Sequence, residues 1–285
     1  MCIRDRELRV SERDVLLMGM LLPLWELSAF PASTVAVGPA RTADHKTWLA
    51  LNVAYPLDHA RFGLVVRRKV RDRPTTMMWS LAGGFGLAGV SSTGLAITGV
   101  WLKFEGEAIA PGLTGELVLR LALTQKDISG AMAVLADPQA GVPAASSFAV
   151  LVADDRGHMA LVERTTDVFR GHKPGEPWLA HTNHFLDRGL AKFDLSKKVF
   201  PDTFARYRLL TQTLTRRRNV TVGLLKKLMA NHEGNPRGIC RHEETCKTVA
   251  ATLLCPNDGT LMVTQGPPCM NKYETFKLSD PAPER

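Results

Sequence analysis

Residues able to do chemistry gather in four places along this 285-residue chain. Ser33 and Thr34 open a β-branched run directly after Pro31. Gly84-Phe85-Gly86-Leu87-Ala88-Gly89 carries the GxGxxG spacing of a loop that cradles phosphate. His181 and His184 bracket Asn183 in HTNHF. Cys240, Cys246, Cys255 and Cys269 crowd the C-terminal part, with His232 and His242 flanking the first of them. The corresponding chemistries are hydroxyl nucleophilic attack, dinucleotide binding, metal ligation by two histidines, and thiol or metal chemistry.

Context weighs against most of these. A dinucleotide loop needs its glycines to open a helix. Here a turn follows, Ser91-Ser92-Thr93-Gly94, and then the β-like LAITGVWL. The stretch therefore reads as a hairpin whose glycines permit close backbone approach. Two histidines three apart ligate a metal from a helix, but HTNHF reads as the end of a strand and no Asp, Glu or Cys set completes it. The cysteines contain no CxxC pair, which argues against a zinc ribbon or a thioredoxin-type motif. The expectation is no metal and no cofactor.

The elements that must position these groups follow from periodicity and punctuation. STVAVGP and TWLALNVAY read as two strands joined by the polar ARTADHK, all within Phe30 to Tyr55. A helix is expected from about Glu12 towards Pro23, and strands at 62–70 and through 77–104. Helices follow at 114–123 and 126–137. Strands are expected at 146–153 and 159–164 across Asp154-Asp155-Arg156-Gly157, and at 178–185. Helices are expected at 203–213 and at 221–230, the latter with Thr221 as its N-cap. Strands at 248–254 and 260–264 flank Asn257-Asp258-Gly259, and a last one spans 273–278. Hairpins with helices clustered between them predict α+β layers rather than alternating βαβ units. No repeat or linker divides the chain, so a single domain over 1–285 is expected.

The net charge is +8. The basic runs Arg67, Arg68, Lys69, Arg71, Arg73 and Arg216, Arg217, Arg218 lack the aromatic interleaving of a nucleic-acid surface and read as solvated strand and loop faces. Five cysteines fit free thiols in a reducing compartment. The apolar run Val15 to Trp25 is too short to span a bilayer and contains Pro23. Residues 1–14 mix Arg with Asp and Glu, unlike a leader peptide. A cytoplasmic protein without membrane or nucleic-acid partners is expected. The first residues fit no element, as in a chain truncated or spurious at its start.

Several separated segments together resemble the isopenicillin N acyltransferase family of N-terminal-nucleophile cysteine hydrolases, kin of bile-salt hydrolase, acid ceramidase and N-acylethanolamine amidase. They are STVAVGPARTADHKTWLALN, GLAGVSSTGLAIT, SSFAVLVADDRG with ALVER, HTNHF, HEGNPRGICRH and GPPC. The resemblance covers the chain from about Ser11 to Leu278. It implies a four-layer αββα sandwich, with 1–31 as a pro-segment-like part and 32–278 as the core. It also implies a precursor that cuts itself to expose a Cys. That Cys attacks an amide or thioester carbonyl with its own α-amine as base, an economy that follows from an amine titrating near neutrality.

Carried over position by position, the resemblance places the nucleophile at Ala32, which has no attacking atom. The family Asp falls at Ala54, in Leu51-Asn52-Val53-Ala54, and the Asn of the glycine-rich hairpin falls at Ser91. Asn183 matches the oxyanion-side Asn, and Arg241 matches the Arg of a late ICR motif. Three readings follow. The first is a non-catalytic member that uses the old pocket for a small acyl-amide or thioester-type ligand. The second is an active amidohydrolase or acyltransferase using Ser33 as a displaced N-terminal nucleophile. Against it, successive strand residues face opposite ways, and Thr34, on the right face, lies about 6–7 Å further along. The third is a thiol enzyme using Cys240 or Cys269. If the carry-over is right, Asn183 and Arg241 converge near Ala32.

Overall fold

The computed structural model describes residues 30–56, 59–106, 112–136, 144–172 and 174–281. The helix expected from Glu12, the run Val15 to Trp25 and Cys2 lie outside them. Among the described residues thirteen strands form two antiparallel sheets. One is a meander in chain order: β3 (Gly63–Arg68), β4 (Thr76–Leu81), β5 (Ala88–Ser91), β6 (Leu95–Trp101), β7 (Phe148–Asp154), β8 (Met159–Arg164) and β9 (Phe169–His172). The other joins distant segments. Its members are β1 (Ala32–Val37), β2 (Trp48–Tyr55), β10 (Trp178–His181), β11 (Lys247–Cys255), β12 (Thr260–Val263) and β13 (Glu274–Lys277), in the order β10-β1-β2-β11-β12-β13.

Strand alternation sorts side chains into three cores. Ala32 and Ala36 of β1, Leu49, Leu51 and Val53 of β2, and Ala149, Leu151 and Ala153 of β7 meet between the sheets. Val35 and Val37, with Trp48 and Ala50, face the other way onto α4 (Thr203–Arg216) and α5 (Val222–Met229). Phe148, Val150 and Val152 turn towards α1 (Gly115–Leu123) and α2 (Ile128–Ala136). The result is helix layer, sheet, sheet, helix layer: a four-layer αββα sandwich, the architecture that the resemblance implied. A one-turn helix, α3 (Ser196–Val199), precedes α4. Among the described residues no helix is long and apolar enough to cross a membrane.

Capping follows the sequence. Thr114 Oγ1 accepts from Leu117 N–H at the start of α1, and Thr221 Oγ1 accepts from Leu224 N–H (3.0 Å) at the start of α5. The basic run after Arg67 lies on and beyond β3, an edge strand, where charge discourages pairing with another chain. Two expectations need correction. The strand expected over 178–185 stops at His181, because Asn183 turns out of the ladder to donate its N–H to Thr203 Oγ1 (2.8 Å). Strand β9 escapes a reading by pattern, being four residues at an edge with two of them exposed.

The glycine-rich stretch is the β4–β5 hairpin, not a helix start. A Cβ on Gly89 would lie 2.5 Å from Met78 Cγ and 2.7 Å from the Met77 carbonyl oxygen. A backbone oxygen cannot swing aside, so Gly89→Ala is expected to cost about 1–3 kcal/mol. That is a fall in melting temperature of roughly 2–4 °C per kcal/mol for a chain this size. A melting curve coincident with the parent's would show that the hairpin is looser than described.

Candidate active site

Strand β1 begins at Ala32, and the main chain leading into it is held atom by atom. Asn183 Nδ2 donates to the Phe30 carbonyl (3.0 Å), and Asn183 Oδ1 accepts the Ala32 N–H (2.9 Å). The Pro31 carbonyl accepts the N–H of Ala54 from the neighbouring strand (2.9 Å). Arg206 Nη1 donates to the Ala32 carbonyl (2.6 Å). Asn183 also donates to the Trp101 carbonyl (3.0 Å), so its buried amide is fully used.

Arg206 projects from the first turn of α4 with 3% of its surface exposed. Its Nη2 donates to Asn183 Oδ1 (2.9 Å) and its Nε to Asp202 Oδ2 (2.7 Å). Asp202 Oδ2 also takes Arg241 Nη1 (3.1 Å), and Arg241 makes a further ion pair with Glu243 (2.7 Å). Burial pushes the Asp202 carboxyl up, but the guanidinium charges of Arg206 and Arg241 prevail and hold it below the usual carboxylate range. Asn183, Arg206, Asp202 and Arg241 therefore form one polar chain. Ala32, Ser33, Ala54, Arg206 and Arg241 line a single cleft too tight for a water molecule. Asn183 touches Ala32 directly, and Arg241 reaches the same cleft through Asp202.

Ser33 faces the helix layer, on the side opposite Ala32. Its Oγ accepts from Arg206 Nη1 (3.0 Å), a partner that can steady negative charge but cannot take a proton. Thr34 Oγ1 donates to the Ala50 carbonyl (2.9 Å) and lies 2.7 Å from Thr98 Oγ1. Ser91 is not part of this site. It ends β5 and its hydroxyl accepts from Thr93 in the turn before β6, at the opposite end of that strand from Trp101.

The histidines of HTNHF have separate partners. His181 Nε2 meets Glu163 Oε1 (2.8 Å) and His172 Nε2 meets Glu163 Oε2 (3.0 Å), while the N–H groups of Leu186 and Asp187 also donate to that carboxylate. Burial opposes the Glu163 charge, yet the hydrogen bonds from His172 and His181 hold its pKa far below normal. His184 lies 3.1 Å from both Thr182 Oγ1 and Thr203 Oγ1, and burial, then the charge of His181, lowers its pKa to about 3.

Between that value and the usual one near 6.5, the unfolded chain binds a proton that folded His184 refuses, so stability falls as pH falls through the window. Glu163 acts in the same direction, its contribution present above the unfolded carboxylate value and lost as pH drops towards its folded one. His172 acts the other way. Its pKa is raised by the Glu163 hydrogen bond, so its contribution is present below the unfolded value and lost as pH rises through the folded one. Melting temperature is expected to drop from pH 7 to pH 4, and His184→Gln to flatten that slope by at most about 1.4 kcal/mol per pH unit. Parallel pH profiles for parent and variant would remove His184 from the account.

Burial pushes the Cys240 thiol up to about 12, which leaves it a poor nucleophile by itself. Cys240 instead meets His232, His242 and Cys269 in a four-residue cluster. The absence of CxxC spacing had led to the expectation of no metal site. The cluster draws its members from two segments 27 residues apart at their nearest, Cys269 and His242, which spacing within one motif cannot reveal.

Comparison with known proteins decides the family. The family model described as acyl-coenzyme A:6-aminopenicillanic acid acyl-transferase matches residues 82–268, more than half of the chain. The chain belongs to this family. It is an acyltransferase family, the one that the resemblance implied. No curated protein matches the sequence. Solved structures that match the chain include two variants of conjugated bile acid hydrolase from Clostridium perfringens. Each is 12% identical over 86% of this chain and 96% of that one, with TM-scores of 0.46 and 0.47. Penicillin V acylase from Agrobacterium tumefaciens is also 12% identical, over 86% of each chain, with a TM-score of 0.47.

Arg206 belongs to the candidate site but, like Asp202, is not singled out by sequence reading. It stands in an amphipathic helix among Arg208 and Arg216, where arginine ordinarily faces water. The only cue in the chain is Asp202 four residues earlier, a spacing that also occurs in exposed ion pairs.

Proposed function

We propose that this chain is a non-catalytic member of the acyltransferase family that remains uncut and holds a small acyl-amide or thioester-type ligand outside the closed cleft at Ala32. The observation that carries the reading is the Phe30–Pro31–Ala32 junction. Asn183, Ala54 and Arg206 clamp its polar main-chain atoms as a cutting site would require, while Ala32 supplies a methyl where a thiol is needed. Ala54, whose N–H holds the Pro31 carbonyl, supplies no carboxylate to orient a liberated amine. The two losses support one another chemically, since neither group has a use without the other. A groove of about 150 Å³ between β3, β4 and β11–β13, with Leu64, Val65, Trp79 and Phe276 beside the polar Gln265 and Glu274, offers room for such a ligand.

A second reading has one observation in its favour. Arg206 Nη1 contacts both the Ala32 carbonyl oxygen and Ser33 Oγ, as an electrophilic group would in cleavage between Ala32 and Ser33. The missing part is a base for Ser33 before an α-amine exists. Intact-mass spectrometry separates the two. The proposal expects one uncut chain and no hydrolysis across a panel of acyl-amides and thioesters. Two fragments, the larger beginning at Ser33, would overturn it in favour of the serine enzyme.

A further inference from the structure

We propose that His232, Cys240, His242 and Cys269 bind a zinc ion that fastens the α5–β11 loop to the β12–β13 connection. The four ligand atoms lie within 4.8 Å of one another. His242 Nε2 is 3.2 Å from His232 Nε2, 3.4 Å from Cys240 Sγ and 3.3 Å from Cys269 Sγ, and the two sulfurs are 3.5 Å apart. Tetrahedral zinc with ordinary Zn–N and Zn–S bonds places its ligand atoms about 3.3–3.8 Å apart, so these separations fit edges of one tetrahedron. The two remaining edges, from His232 to the sulfurs, are no longer than 4.8 Å, and His232 is exposed and free to close them.

Hydrogen bonding does not account for this convergence. An imidazole nitrogen has one proton or one lone pair, yet three atoms crowd His242 Nε2. A disulfide does not account for it either, since its sulfurs would be about 2.05 Å apart and the two histidines would have no part in it. A two-sulfur, two-nitrogen tetrahedral set suits zinc above oxygen-seeking cations. On binding, two thiols give up their protons to solvent and two neutral imidazoles coordinate through Nε2, leaving a site of zero net charge. Four protein ligands close the coordination sphere, the arrangement of a structural site.

The backbone presents these groups deliberately. Cys240 N–H donates to the Asn231 carbonyl (3.0 Å) and His242 N–H to the Pro236 carbonyl (2.9 Å), folding the loop back on itself. Cys269 comes from the turn in which Met270 N–H donates to the Pro267 carbonyl (3.1 Å). Arg241 stands between two ligands, so the ion would fix the loop that brings Arg241 over the cleft at Ala32.

The test is metal analysis of reduced, tag-free full-length protein from zinc-supplemented culture. About one zinc per chain is expected. Cobalt in its place should show sulfur-to-metal charge-transfer and tetrahedral d–d bands. Cys269→Ser should weaken zinc by more than the roughly 10–100-fold that loss of an outer-shell partner costs, while Cys246→Ser, outside the cluster, should leave it unchanged. Should Cys269→Ser fail to fold, the cobalt spectrum of the parent decides alone. Reduced protein without zinc or cobalt bands, or equal zinc loss in both variants, would overturn the proposal.

Discussion

Ala32→Cys combined with Ala54→Asp is expected to turn this chain into one that cuts itself after Pro31. A thiol on the Ala32 β-carbon would stand one five-membered ring away from the Pro31 carbonyl carbon. The oxygen of that carbonyl already accepts the Ala54 N–H at 2.9 Å, which polarises it towards attack. After cleavage the new α-amine would lie against Asn183 Oδ1, where the Ala32 N–H now points. A carboxylate at position 54 lines the same cleft and can hold that amine, with Arg206 and Arg241 present to stabilise the carboxylate. A nucleophile acting with its base is typically worth about 10⁴–10⁶ in kcat. Even a poorly adjusted restoration should therefore exceed the parent's hydrolysis of acyl-amides by roughly 10²-fold. Ala32→Cys alone should cleave slowly, and Ala54→Asp alone not at all. A folded double variant that stays one chain, with circular dichroism and melting like the parent's, would mean that more than these two groups has been lost.

Arg206→Met should produce the largest loss of stability among single changes at the site. It would strip donors from the Ala32 carbonyl, Ser33 Oγ and Asn183 Oδ1 at once, and leave Asp202 with Arg241 as its remaining cation. Breaking a buried pair on one side costs about 3–5 kcal/mol, because the orphaned charge stays desolvated. For a chain of this length that is a melting temperature lower by roughly 6–20 °C. Arg206→Lys should recover little, since one ammonium cannot reproduce a planar fork that serves four acceptors. Arg241→Met should cost less, Asp202 retaining its shorter bond to Arg206. A melting temperature for Arg206→Met within about a degree of the parent's would show that the polar chain does not secure the junction.

Sequence periodicity disclosed the layers because β1, β2 and β7 carry apolar residues on both faces and Asn257-Asp258-Gly259 marks its turn without ambiguity. The start of β1 was legible from Pro31, and Thr221 from its place before an apolar helix. What remained hidden depends on partners far away in the chain. The role of Arg206 comes from the Ala32 carbonyl oxygen and the Ser33 hydroxyl, more than 170 positions distant. His232 and Cys269 have meaning only once α5 and β13 bring their loops together. Ser91 was misplaced because a motif match fixes order along the chain but not which end of a strand faces the site.

The two sheets differ in how their strands are spaced along the chain, and that difference sets an order of assembly. The seven-stranded sheet is a meander, so apart from the β6–β7 connection through α1 and α2 each strand finds its partner soon after synthesis and loop closure is cheap. The six-stranded sheet cannot be completed until β11 arrives almost 200 positions after β2, with β10 closing the other side of β1. Long-range pairing of this kind is slow, and unpaired strand edges invite aggregation meanwhile. During refolding, amides of β5–β8 should gain exchange protection before those of β1 and β2; simultaneous protection would refute that order. The junction at Ala32 would then be among the last parts of the molecule to form, which would delay any self-cleavage there until the chain is whole.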